Sequence, residues 1–523
     1  MDGLKKLIAR QEKKEQIESF VRRSIGTMEP ARRPDKNIAA HKFFLALVLF
    51  SAVTLLLVAP VLHIDLSLPI LLIMSVSCLF MLLRTVNILR LARRLVASIK
   101  RYIHGTAVAP SLKWNHLIVV PIYKESIETI ANTIGALSRH RDAASHYVVL
   151  CAHETADKDH EKKFRRIHEM FAHRFSDLVK SVHVLDPMEC PGKAANVNHA
   201  VRFHAASQPF EVYSRTMVTV IDCDTLVEER YFWELERMAS AADDPHSVIF
   251  AAPTFFENNR NAVPCLVRAM DDLWSMAAAA NIFSNSKLGF PISNYSLSLQ
   301  MLEAMDYWDV DYDSVGEDFH TFIKASIKLK KNIRLVPVAV PMNNENVIGH
   351  AYFSSVLARY SQALRHALGI SSTAYLFKHV LTSSFSVRKW LLFLLCLESH
   401  SFPLLYFATG IYVFECVYMG NFFTYFRDEK LLLFGGLTAA TVALLNVCFG
   451  IYKANQFFIR HRWFRKPFNF VEEVRSDISD VVVQPLCFIG YFFVPFGFRA
   501  YQHLFFWTNK GFYNRIEESA RKY

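Results

Sequence analysis

The chain has 523 residues, 52% hydrophobic, 13% aromatic and 20% charged, with a net charge of +11 and a mean hydropathy of +0.17. It is too apolar for an ordinary soluble domain and too polar for a bundle of membrane helices alone, so a polar domain must sit between apolar segments. Nine cysteines stand singly from Cys78 to Cys487, with no C-x-x-C pair and no Cys/His cluster at zinc spacing, which excludes a disulfide framework or structural zinc and fits a reducing cytosol.

The first 42 residues are basic and glutamate-containing, a regulatory arm or a surface-binding helix. Residues 43–62 carry no charge and have the roughly 20-residue length of a membrane span; residues 66–83 give a second after a turn at His63, Ile64 and Asp65. So long a polar stretch ahead of the first span argues against a cleavable signal peptide. Arg22, Arg23, Arg32, Arg33 and Lys36 precede this hairpin, and Arg84, Arg90, Arg93, Arg94, Lys100 and Arg101 follow it. The positive-inside rule puts both flanks, and the domain that follows, in the cytosol. Topology and anionic lipid account for the basic surplus, and no nucleic-acid partner is needed.

From Trp114 to Val340, apolar runs alternate with helical stretches: 116–122, 146–152, 181–186, 216–222, 247–253 and 333–340. Runs without strict polar alternation predict a buried, mostly parallel sheet, whose ligands lie beyond the carboxyl ends of the strands. There stand Pro121, Tyr123 and Glu125, then His153 and Glu154, then Asp222 and Asp224. Asp222 and Asp224 flank one residue, so both reach one divalent cation, or form a solvated turn. Pro191-Gly192-Lys193 opens a helix; a lysine there opposes the macrodipole unless an anion joins it, which suits a phosphate, although a lysine reaching into water is the common alternative.

Asp318 opens another amphipathic stretch, where it suits a helix cap. Gln362, Arg365 and His366 share one helical face by their spacing, opposite Phe353, Leu357 and Leu364. This predicts a helix on the membrane surface that Gly369 is able to end. Apolar stretches return at 390–417, 431–452 and 481–508, and Lys453, Arg460, Arg462, Arg465 and Lys466 put the connection after the second inside. Glu398 and His400 either line a conduit or mark an interfacial start to the span.

The motifs in order, over residues 115–370, resemble those of the membrane-embedded family 2 glycosyltransferases related to cellulose, chitin and hyaluronan synthases. The resemblance implies an α/β, GT-A-like (Rossmann-like) cytosolic domain inserted between transmembrane α-helices. It divides the chain into an arm (1–42), a transmembrane hairpin (43–89), the transferase domain (90–345), interfacial helices (346–389), a C-terminal transmembrane region (390–508) and a tail (509–523).

The same resemblance assigns roles. Pro121, Tyr123, Glu125, Glu154, Lys193, Asn196, Asn198 and Asp222 bind the donor nucleotide; Asp222 and Asp224 hold Mn2+ or Mg2+; Asp318 is the catalytic base. Glu317, Gln362, Arg365 and His366 face the acceptor and diphosphate. His366 stands where the family has tryptophan, a flat platform for an acceptor sugar. The implied activity is inverting, metal-dependent transfer from a nucleotide-diphosphate sugar, with UDP favoured. The product is a polysaccharide, with translocation through the spans; the alternatives are single transfer to a polyprenyl phosphate or glycolipid, or a non-catalytic membrane protein. The implied partners are the donor, a glycan or lipid acceptor and membrane lipids, in a multi-pass protein with a cytosolic site, the plasma membrane favoured and an endomembrane the alternative.

Overall fold

A computed structural model describes residues 36–103, 110–311, 314, 316–329, 331–400, 402–487 and 490. Most of the expected N-terminal arm, most of the stretch 481–508 and the tail lie outside the described residues.

Two helices, α1 (Lys36–Val58) and α2 (Ser67–Ile103), precede the domain. The sheet contains β1 (Asn115–Ile122), β2 (Tyr147–Glu154), β3 (Asp177–His183), β4 (Thr216–Val220), β5 (Val248–Ala251), β7 (Tyr295–Ser298) and β8 (Arg334–Pro337); β6 (Thr254–Phe255) and β9 (Met342–Asn343) form a small second sheet. The strand order is β3-β2-β1-β4-β7-β5-β8. Neighbours are parallel except β7, which runs antiparallel to β4 and β5. Helices α3 (Ile127–Leu137), α4 (His160–Phe171), α5 (Lys193–Ala206), α6 (Glu229–Ser240), α7 (Cys265–Ile282) and α8 (Glu317–Lys328) join the strands. Beyond them come α9 (Tyr352–His366), α10 (Ile370–Thr382), α11 (Val387–His400), α12 (Phe402–Tyr418), α13 (Asp428–Arg462) and α14 (Phe470–Cys487).

The mostly parallel α/β sheet agrees with the expected Rossmann-like domain. β1 is buried along nearly its whole length because helices cover both faces of the sheet. The order reverses between β1 and β4, where β2 and β3 lie to one side and β7 to the other. That switch point opens a crevice beyond the strand ends that carry Tyr123, Glu154 and Asp222.

Two strands differ from expectation. The third strand is Asp177–His183 rather than 181–186, because pairing with β2 sets its register from Val148↔Asp177 to Glu154↔His183. β7 escaped the hydrophobic scan because it buries serines: the Ser296 hydroxyl bonds Thr219 and Tyr231, each at 2.7 Å, so polar side chains sit in the core at little cost.

Among the described residues two helices are long and apolar enough to cross a membrane, Ser67–Tyr102 and Asp428–Arg462; Val387–His400 with Leu405–Tyr418, bent by 56°, reaches that length as one broken span. In α1 the apolar part, Leu47–Val58, is shorter. α2 continues as one helix past the boundary expected at residues 89–90, to Ile103.

Buried charges tie the α/β domain to α13 and α14. Arg260 pairs with Asp272 at 3.2 Å and with Asp480; Lys453 reaches Asp272 at 3.1 Å and Asp480 at 3.2 Å; Arg268 reaches Asp480 at 3.0 Å. Both aspartates are fully buried, and removing one side of such a network strands the other charge out of water. Asp480→Ala is expected to cost on the order of 3–5 kcal/mol, read as a large fall in Tm of the detergent-solubilised protein, with Asp480→Asn falling less.

Candidate active site

The crevice is a cleft of about 820 Å³ lined by Pro121, Tyr123, Glu125, Glu154, Lys193, Asn196, Asp222, Asp224, Glu317, Asp318, Gln362, Arg365 and His366. Every site residue singled out in the sequence lines it except Asn198. On α5, positions 193 and 196 share a face, whereas 198 lies two residues beyond 196 and points away. Asn198 accepts instead from Arg202 Nε at 3.3 Å. Asn196 lines the cleft but donates its amide to the Ala152 carbonyl of β2 at 2.7 Å, which ties the helix start to the sheet.

Gly192, at φ 140°, caps α5, a conformation that only glycine adopts readily. It aims Lys193 at the end of β4. The Lys193 ammonium donates to Asp222 Oδ1 at 2.8 Å and to the Ser293 carbonyl at 2.7 Å, and lies 3.6 Å from Glu317 Oε1. Burial opposes its charge, but Asp222, Glu317 and Asp318 outweigh burial and hold it above the usual lysine range.

Glu317 is pushed up to about 7 by burial and by Asp318, against the pull of Lys193. Tyr295 donates to Glu317 Oε1 at 2.8 Å and receives from Trp308 Nε1 at 2.7 Å. Asp318 Oδ2 accepts from Ser293 N at 2.7 Å. Glu125 Oε2 accepts from Tyr123 N at 2.7 Å, so this carboxylate also shapes the turn that presents the Tyr123 ring.

Asp224 is pushed up to about 8 by burial, with Asp222, Glu345 and Glu125 adding to it. Paired carboxylates, one of them driven to keep its proton, suit a divalent cation. Among the described residues no three His, Cys, Asp or Glu side chains form a cage; the rest of a coordination shell would come from a ligand's oxygens and water.

On the α9 wall of the cleft, His366 stacks on Trp274 of α7, with centroids 4.6 Å apart and planes 18° apart. Burial, then Arg359, Arg365 and His400, holds its imidazole well below the ordinary value and therefore neutral. Position 366 lacks tryptophan, yet a tryptophan from another helix stands against it. Gly369 does not end the helical run, since α10 follows directly; a Cβ there would lie 2.5 Å from His400 Nε2. The far end of the cleft is lined by Arg84 of α2 with Ser399 and His400 of α11, and Arg84 Nη2 donates to Glu398 Oε2 at 2.6 Å.

Sequence reasoning left Ser293, Asn294, Asn344 and Trp274 without roles. Their signal is weak, because nothing local says what a serine or asparagine at these positions touches.

The raised Asp224 carboxyl predicts a pH effect. Its folded value of about 8 lies above its ordinary 3.8, so stability is lost as pH rises through that window. Asp224→Asn removes this cost and is expected to raise Tm by about 2–4 °C at pH 8, with no gain near pH 4.5. A parallel shift at both pH values, or none, would contradict it.

Residues 217–452, from β4 into α13, match the family model described as glycosyl transferase family group 2. No match was found among curated proteins. The mannosyltransferase PcManGT from Pyrobaculum calidifontis, in complex with GDP-Man and Mn2+, is 15% identical with a TM-score of 0.41, over 77% of this chain and 99% of its own. S. aureus TarS in complex with UDP-GlcNAc is 14% identical with a TM-score of 0.31, over 60% and 91%. Glucosyl-3-phosphoglycerate synthase from Mycobacterium tuberculosis, with Mn2+, UDP and glucosyl-3-phosphoglycerate, is 14% identical with a TM-score of 0.30, over 50% and 80%. These superpositions are loose.

Proposed function

We propose that the chain transfers a sugar, with inversion, from a nucleotide-diphosphate donor of the UDP class to an acceptor hydroxyl at a membrane, extending a polysaccharide that leaves through the spans. The observation that carries this reading is the meeting of Lys193, Asp222, Asp224, Glu317 and Asp318 in one cleft.

In this reading Tyr123 stacks on the pyrimidine and Glu125, with Pro121 and Glu154, shapes its pocket. Asp222 and Asp224 would hold Mn2+ or Mg2+, which supplies positive charge against the departing diphosphate. Lys193, already surrounded by carboxylates, shares that charge from the helix start. Asp318 takes the proton of the acceptor hydroxyl as its oxygen attacks the anomeric carbon from the face opposite the leaving group. A single displacement inverts that carbon. Glu317, bound to Tyr295, keeps the acidic pair in register, and Gln362, Arg365 and His366 attend the diphosphate and the acceptor.

The polymer reading is supported by a cleft that runs on to Arg84, Ser399 and His400, on helices long or apolar enough to belong to the membrane part. With it go the cytosolic site, the multi-pass topology and the plasma-membrane location. Transfer of one sugar to a lipid acceptor is the second reading, favoured by the smaller, neutral His366 where a flat indole is expected.

Purified protein with Mn2+ or Mg2+ is expected to release nucleotide from one member of a UDP- and GDP-sugar panel. EDTA should abolish release, and Asp318→Asn should lower kcat by about 10²–10⁴-fold with the donor KM little changed. Sizing the product separates polymer from single addition. Asp318→Asn turning over like wild type would sink the assignment of the base.

A further inference from the structure

We infer that Ser293 and Asn294 are positioning residues, a strained turn that registers the base Asp318, the cation Lys193 and the metal-binding loop at Asp222 on one another; this rests on the transferase reading above.

The backbone N–H of Asn294 donates to the Ile292 carbonyl at 2.6 Å, closing a three-residue turn, and Ser293 at its centre has φ 59°. A γ-turn with positive φ at a residue other than glycine is rare and strained. Strain of this kind persists only where surrounding contacts over-determine it, and here those contacts go to the reactive groups. Ser293 N donates to Asp318 Oδ2 at 2.7 Å, and the Ser293 carbonyl accepts from Lys193 at 2.7 Å.

The next side chain reaches the third group. Asn294 Oδ1 accepts from Asp222 N at 3.0 Å and from the Thr225 hydroxyl at 3.3 Å. Its Nδ2 donates to Thr254 Oγ1 at 3.4 Å and Asn344 Oδ1 at 3.3 Å. Asn294 is fully buried. Besides Thr254 and Asn344, two consecutive residues therefore touch the three segments that carry the reactive groups of this reading: the start of α5, the loop after β4 and the start of α8. A turn serving only to enter β7 would need none of these contacts. Displacing it moves the base relative to the metal-binding loop, and small displacements of reacting groups have large effects on rate.

The test uses the full chain in detergent. Ser293→Val puts a β-branched residue where φ is positive, so the turn must shift; kcat for nucleotide release from the active donor is expected to fall about 10²-fold with the donor KM within about threefold. Ser293→Gly, which adopts positive φ without steric cost, is expected to retain most of the turnover. Asn294→Ala is read separately by Mn2+ electron paramagnetic resonance in the presence of UDP, where half-saturation is expected to rise about tenfold; this arm stands if the valine variant fails to fold. Valine and glycine variants that turn over alike, or Asn294→Ala binding Mn2+ and UDP as wild type does, would overturn the inference while leaving the transferase reading intact. Wild-type protein that binds no Mn2+ with UDP and releases no nucleotide from any donor overturns the transferase reading, and the inference with it.

Discussion

The cleft is governed by an excess of negative charge in a half-buried space. Asp222, Glu317 and Asp318 gather around the Lys193 ammonium with Asp224 beside Asp222, and the strain shows in their protonation: Asp224 near 8 and Glu317 near 7. A protein pays for such an arrangement in stability. Carboxylates in apolar surroundings repel one another and lose water, and one lysine does not balance them. The same imbalance favours binding of a cation and, through it, of a phosphate-bearing ligand.

Holding those groups in place falls to elements that carry no reactive side chain. α7 is the main strut. Its consecutive aspartates face different neighbours: Asp271 receives Arg359 Nε of α9 at 2.6 Å, and Asp272 joins Arg260, Lys453 and Gln456. One turn on, Trp274 lines the cleft and stacks on His366. The helix that carries Gln362 and Arg365, the long apolar α13 and the His366 wall of the cleft therefore share one rigid support. Breaking any of these buried pairs leaves a charge without water, which makes the support stiff as well as strong.

α14 shows the same economy with its faces reversed. Asp480 and Gln484 point inward while Val471, Ile478 and Val482 face out. An apolar scan reads such a helix poorly, because its polar face is the buried one and two of the partners of Asp480, Arg260 and Arg268, lie more than two hundred residues away in sequence.

What the sequence determined by itself was local. Apolar runs bounded by turns located most of the sheet, since a strand buried on both faces must be apolar. The residues that chemistry requires stood at strand ends and helix starts, where Tyr123, Lys193, Asp222, Asp224 and Asp318 are all found in the cleft. The tertiary structure alone decided what depends on pairing across the chain. It set the register of β3 by its neighbour, admitted β7 because Thr219 and Tyr231 satisfy Ser296 and His246 meets Ser298, and turned Asn198 away from the cleft that Asn196 lines. It also brought Trp274 to His366 and Ser293 to both Lys193 and Asp318. A side chain's type and its place along an element are written locally, whereas its partner is fixed only when distant segments close on one another.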